Sequence, residues 1–344
     1  MSQRELAETV RISVEKPMKK VSTKSKGYAG SLERSIGVAF FLRAVGAGLA
    51  FLLNVAIGRL LGASGTGIYF LSLSVVSFSA VFARLGLETT VLRFVAKYAN
   101  ANNWGQVRGV LRYALAWGGS VSLAFTTIIL ICADWFENTV FDTKGMAPIL
   151  IAVSFSVVGF NIMIVISEAL KGLGHIRSAM LVGGVLYPIT ALILVYPAIS
   201  FLGPAGAGLA YTMGTLTASI VGLFLWEKAL SGKPKAQPVY RNEIRDSSRP
   251  LWAMTIVHRA IIPWTPLILI GFWGTSSDAG IYGAASRVAL LVSFFLVAVN
   301  AVLGPRISVL YSQGEVANIR RLACRFSAIT TIAVTPIFIV FVSL

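Results

Sequence analysis

The chain has 344 residues, of which 56% are hydrophobic and only 13% charged, and its formal net charge is +16. Water-soluble domains carry roughly 25% charged residues, so this balance excludes an ordinary soluble enzyme and points to a bilayer. In a soluble protein the positive charge would argue for nucleic acid; here its distribution along the chain argues for membrane topology, and no nucleic-acid partner is expected.

Residues 1–35 are polar, basic and rich in Ser and Lys, and read as a cytoplasmic tail. Nine apolar runs follow, near 37–57, 67–83, 113–132, 147–167, 180–200, 205–226, 251–272, 280–303 and 326–344. They come near or above the roughly 18–20 residues that cross a hydrocarbon core. The expected fold class is an all-α polytopic membrane protein with about nine transmembrane helices. If the runs alternate in direction, residues 1–35, 83–112, 169–179, 227–250 and 304–325 share one side and hold 25 of the 30 Lys and Arg residues. Only Arg59 and Lys144 fall on the other side, and Arg43, Arg259 and Arg287 lie inside runs. By the positive-inside rule the N-terminus is cytoplasmic. Within segment 89–112, Val91, Leu92, Phe94, Val95 and Tyr98 mix with Arg93 and Lys97. That pattern fits either a surface amphipathic helix or a continuation of the second span. Segment 227–250, with Gly232-Lys233-Pro234-Lys235, reads as a cytoplasmic linker.

An internal repeat divides the chain at that linker. Gly67, Ile68, Tyr69 and Arg93 map onto Gly280, Ile281, Tyr282 and Arg306 at a single offset of 213. Both copies start from the same side, so the repeat is parallel, about an axis along the membrane normal. The expected organisation is a first six-helix lobe over 36–226 and a partial second lobe of three helices over 251–344. On this reading the sequence is part of a longer one.

The buried charges carry the functional signal. An Arg inside a span costs about 2.5–3.5 kcal/mol on insertion scales, so it marks a functional site by default. Arg43 lies roughly 9 Å into its run and Arg259 roughly 12 Å into its own, at 1.5 Å per residue. Gly46 and Gly48 follow Arg43, and Pro263 and Pro266 follow Arg259. Helices weakened at matching points of two halves are a pointer to a transport site. Arg287 is a third candidate, nearer the outer side. The competing reading for Arg43, Arg259 and Arg287 is snorkelling of the guanidinium to the nearer headgroups. Glu88 and Glu168 sit at the inner ends of runs, and no Asp or Glu lies near the middle of one. A cavity whose buried charges are Arg suits an anion, since the guanidinium fork matches phosphate oxygens. A phosphate-binding Gly-rich loop, a metal-spaced His/Cys cluster and a nucleophile elbow are all missing, so neither catalysis nor a cofactor or metal is expected. Cys132 and Cys324 fall near opposite faces and imply no disulfide.

A family resemblance rests on several stretches. Gly58-Arg59-Leu60-Leu61-Gly62-Ala63-Ser64-Gly65-Thr66-Gly67-Ile68-Tyr69 resembles the first connection of Wzx-type polysaccharide (O-antigen) exporters. Leu85-Gly86-Leu87-Glu88 with Val91-Leu92-Arg93-Phe94 is similar to the end of their second span, and Glu168-Ala169-Leu170-Lys171-Gly172-Leu173-Gly174 to their fourth inner turn. Ala279-Gly280-Ile281-Tyr282 and Gly304-Pro305-Arg306-Ile307-Ser308 resemble their eighth span. The family belongs to the multidrug/oligosaccharidyl-lipid/polysaccharide superfamily. The resemblance implies two helical lobes around a cavity of alternating access. It also implies a flippase for a lipid-pyrophosphate-linked oligosaccharide in a plasma or inner membrane, with polysaccharide assembly proteins as candidate partners. It places Arg43, Arg259 and, less closely, Arg287 in the cavity. The rival expectations are a cation-coupled small-molecule extruder of the same superfamily and a truncated, non-transporting membrane subunit.

Overall fold

The computed structural model describes residues 25–239 and 241–289, and scattered helical residues between 318 and 335. Most of the ninth apolar run, the eighth beyond residue 289, and Arg306 lie outside the described residues. The chain divides into two units, Met1–Val38 and Ala39–Leu344. In the first, the described residues 25–38 are helical. Apart from the start of α1, all that follows concerns the second.

The described residues form helices joined by short turns, and no strand occurs among them. They are α1 (Ser25–Ala83), α2 (Leu87–Asn100), α3 (Trp104–Ile131) and α4 (Met146–Gly172). Then come α5 (Ile176–Leu202), α6 (Ala205–Ala229), α7 (Asn242–Trp273) and α8 (276–289). Six of these segments are long and apolar enough to cross a membrane. Large apolar side chains point outward from them, among them Phe201 at 87% exposure and Ile193 at 68%. Such a surface is untenable in water and natural in lipid.

The first two apolar runs both lie in α1, which breaks at Gly62, with φ 68° and ψ −176°. That left-handed φ is open to glycine at little cost. The break reverses the chain. Arg43 borders the same cavity as Arg259, and Arg259 pairs with Glu88. A straight helix would hold Arg43 and Arg84 about 60 Å apart at 1.5 Å per residue. The two limbs of α1 are thus a hairpin with its tip at Gly62. A second left-handed pair, Leu85 (φ 52°) and Gly86 (φ 69°), ends the second limb and turns the chain into α2. α2 is therefore a separate helix. It buries Leu87, Val91, Phe94, Val95 and Tyr98 and leaves Arg93 and Lys97 exposed. Its apolar face packs on α3 and α4, within one buried cluster.

α6 is rich in small residues because it is wedged between neighbours. A side chain at Gly214 would strike the Tyr187 carbonyl of α5 at 2.4 Å, and one at Gly222 would press on Val182 and Ile166. Small residues at such crossings let helix backbones approach without a hydrophobic drive between them. Hydroxyls add polar contacts: Ser219 Oγ donates to the Gly159 carbonyl at 2.6 Å, and Thr212 Oγ1 to that of Ala152 at 2.7 Å. Asn161 of α4 donates to the Gly118 carbonyl of α3 at 3.0 Å and to Ser122 Oγ.

α8 begins with a reciprocal cap. Thr275 Oγ1 accepts from the Asp278 N–H at 3.2 Å, and the Asp278 carboxylate accepts from the Thr275 N–H at 2.9 Å and from its hydroxyl. This is a capping box with Asp in the third position. The Thr275 hydroxyl, and then its N–H, hold the Asp278 carboxyl below its ordinary pKa.

α8 crosses the second limb of α1 where the repeated motif meets itself. A Cβ at Gly67 would lie 1.6 Å from the Ser276 carbonyl oxygen and 2.8 Å from the Gly280 nitrogen. A Cβ at Gly280 would lie 2.2 Å from the Ala63 carbonyl oxygen and 3.0 Å from the Gly67 nitrogen. Residues 63 and 67 shifted by 213 are 276 and 280. Each contact is therefore returned by its repeat partner, as a two-fold relation requires of matching patches.

Candidate functional site

Arg43, Lys171 and Arg259 line one cavity of about 330 Å³, together with Glu168, Tyr187 and small residues of α1 and α5. Arg43 is carried by the first limb of α1, which runs unbroken through Gly46 and Gly48. The expected weak point is absent there, and Gly46 has another task. A Cβ at that position would meet the Gly184 carbonyl at 2.5 Å, so the glycine lets α1 touch α5. Gly184 is four residues before Pro188, whose ring nitrogen cannot donate to that carbonyl. Residues Leu181–Leu186 relax there into a π-helical turn.

The same chemistry shapes α7. Pro263 has no N–H for the carbonyl of residue 259, and Val257–Ile261 form a π-helical turn. Arg259 sits within it, and such turns recur at functional sites. Here the interruption expected from Pro263 is present. Arg259 Nε lies 3.4 Å from Glu88 Oε1, and Arg84 Nη1 lies 3.4 Å from Glu88 Oε2. Side-chain exposure is 2% for Arg84 and 4% for Glu88, but 56% for Arg259. Glu88 thus joins a buried guanidinium to one that is open to the cavity. Glu168 is paired too, with Lys171 Nζ at 2.6 Å.

Arg287 is not among the residues lining that cavity. Its guanidinium carbon lies 3.7 Å from the ring centroid of Phe70 and 5.7 Å from that of Trp264. Its Nη1 donates to the Gly283 carbonyl at 2.9 Å. The side chain thus lies against aromatic rings of two other helices. A guanidinium over an aromatic face is favourable, more so when desolvated. Sequence reading missed Glu88 as the partner of Arg259, and Phe70 and Trp264 as the rings beside Arg287. Both acids at inner helix ends were visible; Glu168 pairs with Lys171 on its own helix, whereas the partners of Glu88 lie on other helices.

The fold and these charges define a class: a multi-pass, all-α membrane protein with a cationic cavity between its helices. The sequence model of the family described as "Polysaccharide biosynthesis protein" matches residues 32–311. The chain belongs to this family. Solved structures share the fold at low identity. An outward-facing multidrug resistance MATE family transporter of the MOP superfamily is 16% identical, with a TM-score of 0.57 over 88% of this chain and 71% of that one. An inward-facing conformation of such a transporter gives 0.53 at 16% identity, over 85% and 74%. The eukaryotic MATE transporter AtDTX14 gives 0.58 at 15% identity, over 92% and 74%. No curated protein matches the chain.

Proposed function

We propose that this protein is a membrane transporter, a flippase for a lipid-pyrophosphate-linked oligosaccharide, serving cell-surface polysaccharide synthesis in a plasma or inner membrane. The observation that carries the reading is the meeting of Arg43 and Arg259 in one cavity, from helices far apart in the chain. With Lys171 they set three cations against the single lining carboxylate, Glu168. That balance attracts an anion, and the guanidinium fork suits pyrophosphate oxygens. The carboxylates near the cavity are each matched by a basic partner, which weighs against a free cation site.

On this reading residues 36–226 form a first lobe, 227–250 a cytoplasmic linker and 251–344 belong to a second lobe. The returned contacts of Gly67 and Gly280 support a two-fold relation between the lobes. The pyrophosphate binds on Arg43 and Arg259, the lipid tail stays in the bilayer, and the lobes rock about the Gly67–Gly280 crossing. Arg287, on its aromatic stack, lies further along the same path.

The test is flipping of a fluorescent pyrophosphate-linked oligosaccharide in proteoliposomes. Arg43→Ala and Arg259→Ala each lower the rate by about ten- to a hundredfold, as for loss of a charged hydrogen bond. Lys at either position keeps part of the activity, because it keeps the charge but loses the fork. The double Ala variant is barely worse than either single one if both groups hold one ligand. Unchanged flipping with Ala at both positions refutes the assignment.

A further inference from the structure

A second cavity, of about 470 Å³, opens at the other side of the Gly86 turn. It is walled by Leu85, Leu87, Tyr113, Trp117 and Trp252, and by Asn242, Arg245, Ser248 and Arg249. The volume falls in the range of small-molecule sites, roughly 300–1,000 Å³. It shares no residue with the Arg43–Arg259 cavity.

Its wall is built in order. Arg245, Ser248, Arg249 and Trp252 follow one another at helical spacing, so α7 turns a single face to it. α7 is held there by the Gly86 turn, where a Cβ would lie 2.5 Å from the Ser248 carbonyl and 2.7 Å from the Trp252 nitrogen. Tyr113 and Trp117, one turn apart on α3, form the opposite wall with ring centroids 6.4 Å apart. The polar and apolar parts are sorted by depth. Arg245 and Arg249 precede the apolar run that begins at Leu251, whereas Trp117 lies about 6 Å inside the run that begins at Tyr113. The lining contains no carboxylate. Among the described residues Arg249 has no ion-pair partner, and Arg245 has only its neighbour Asp246, at 3.8 Å.

We infer that this cavity binds one anionic phospholipid of the surrounding bilayer. Arg245 and Arg249 take the phosphate, and Trp117, Leu85 and Leu87 take the first part of the acyl chains. Three features commit the site to a lipid. Arg245 and Arg249 precede an apolar run, the Tyr113–Trp117 wall belongs to the start of another, and the lining holds no carboxylate. Basic pockets between helix ends at a membrane face are suited to anionic headgroups. The inference does not depend on what the protein transports.

The test is native mass spectrometry of the 344-residue chain released from nanodiscs of phosphatidylglycerol and phosphatidylcholine in equal amounts. The parent retains one phosphatidylglycerol in preference to phosphatidylcholine. Arg245→Ala/Arg249→Ala lowers that retention about tenfold or more, since each basic residue near a membrane face contributes to anionic-lipid binding. Arg177→Ala/Lys228→Ala removes two exposed basic residues elsewhere and leaves retention unchanged. Equal retention of the two lipids by the parent overturns the inference. So does equal loss in both double variants, which would mean a diffuse charge effect. Displacement of the lipid by inorganic pyrophosphate alone would also overturn it, because the site would then serve free phosphate. A thermal-stability profile of each variant identifies loss by misfolding. If the double variant misfolds, Trp117→Ala tests the apolar wall and should lower retention while leaving the charge intact.

Discussion

Glu88 sits between two guanidiniums whose surroundings differ. Arg84 is buried against the Glu88 carboxylate, whereas Arg259 is more than half exposed. Removing one member of a buried pair leaves an uncompensated charge and costs about 3–5 kcal/mol. An exposed pair contributes about 0–1 kcal/mol. Glu88→Ala is therefore expected to lower the apparent unfolding temperature in detergent strongly, and Arg259→Ala hardly at all. Transport should show the opposite contrast, with Arg259→Ala slowed about ten- to a hundredfold although folded. A Glu88→Ala protein as stable as its parent would show that Arg84 has another counter-charge. The sequence marked Arg259 by its depth in an apolar run. It could not show that a carboxylate from α2 would reach it, because that contact depends on the Leu85–Gly86 turn.

Between elements, the crossing of α1 and α8 is set by two glycines. At Gly67 even a methyl group would overlap the Ser276 carbonyl, which is backbone and cannot rotate away. Gly67→Ala should force the two helices apart, with sharply reduced yield of folded protein by size-exclusion chromatography. Gly48, in the same helix, has nothing within 4 Å of an added Cβ. Gly48→Ala should be neutral or slightly stabilising, since Ala is preferred to Gly inside a helix. Equal yields from the two variants would remove the close crossing as a structural requirement. Gly-Ile-Tyr was legible twice in the sequence. That one copy lies against the other was not, since a repeat does not specify how its halves meet.

For the whole molecule, the distribution of Lys and Arg predicts which loops face the cytoplasm. The expected outcome is measured with single cysteines, after Cys132 and Cys324 are replaced, and an impermeant thiol reagent on intact cells. Positions in 89–112 and 227–250 should be shielded, and those in 134–145 and 275–279 labelled. Labelling of 227–250 from outside would reverse the topology and remove the parallel repeat with it. Within 227–250, residues 231–239 lack helix and Gln237 donates its N–H to the Gly105 carbonyl at 2.9 Å. From Arg241 onward the chain is already helical. That part of the segment is bound to the bundle because its Arg245–Trp252 face packs beside the Gly86 turn.

The sequence by itself determined the membrane environment, the all-α class and the placing of three Arg residues in apolar runs. These follow from run length and composition, which any bilayer reads in the same way whatever the helices touch. The tertiary structure decided what those charges do. It folded α1 back at Gly62, brought Arg43 and Arg259 to one cavity, gave Glu88 to Arg259 and stacked Arg287 on Phe70. Each depends on the rotation of a helix about its axis and on backbone approach at glycine. In helices apolar on nearly every side, the hydrophobic pattern carries little information about which face turns inward.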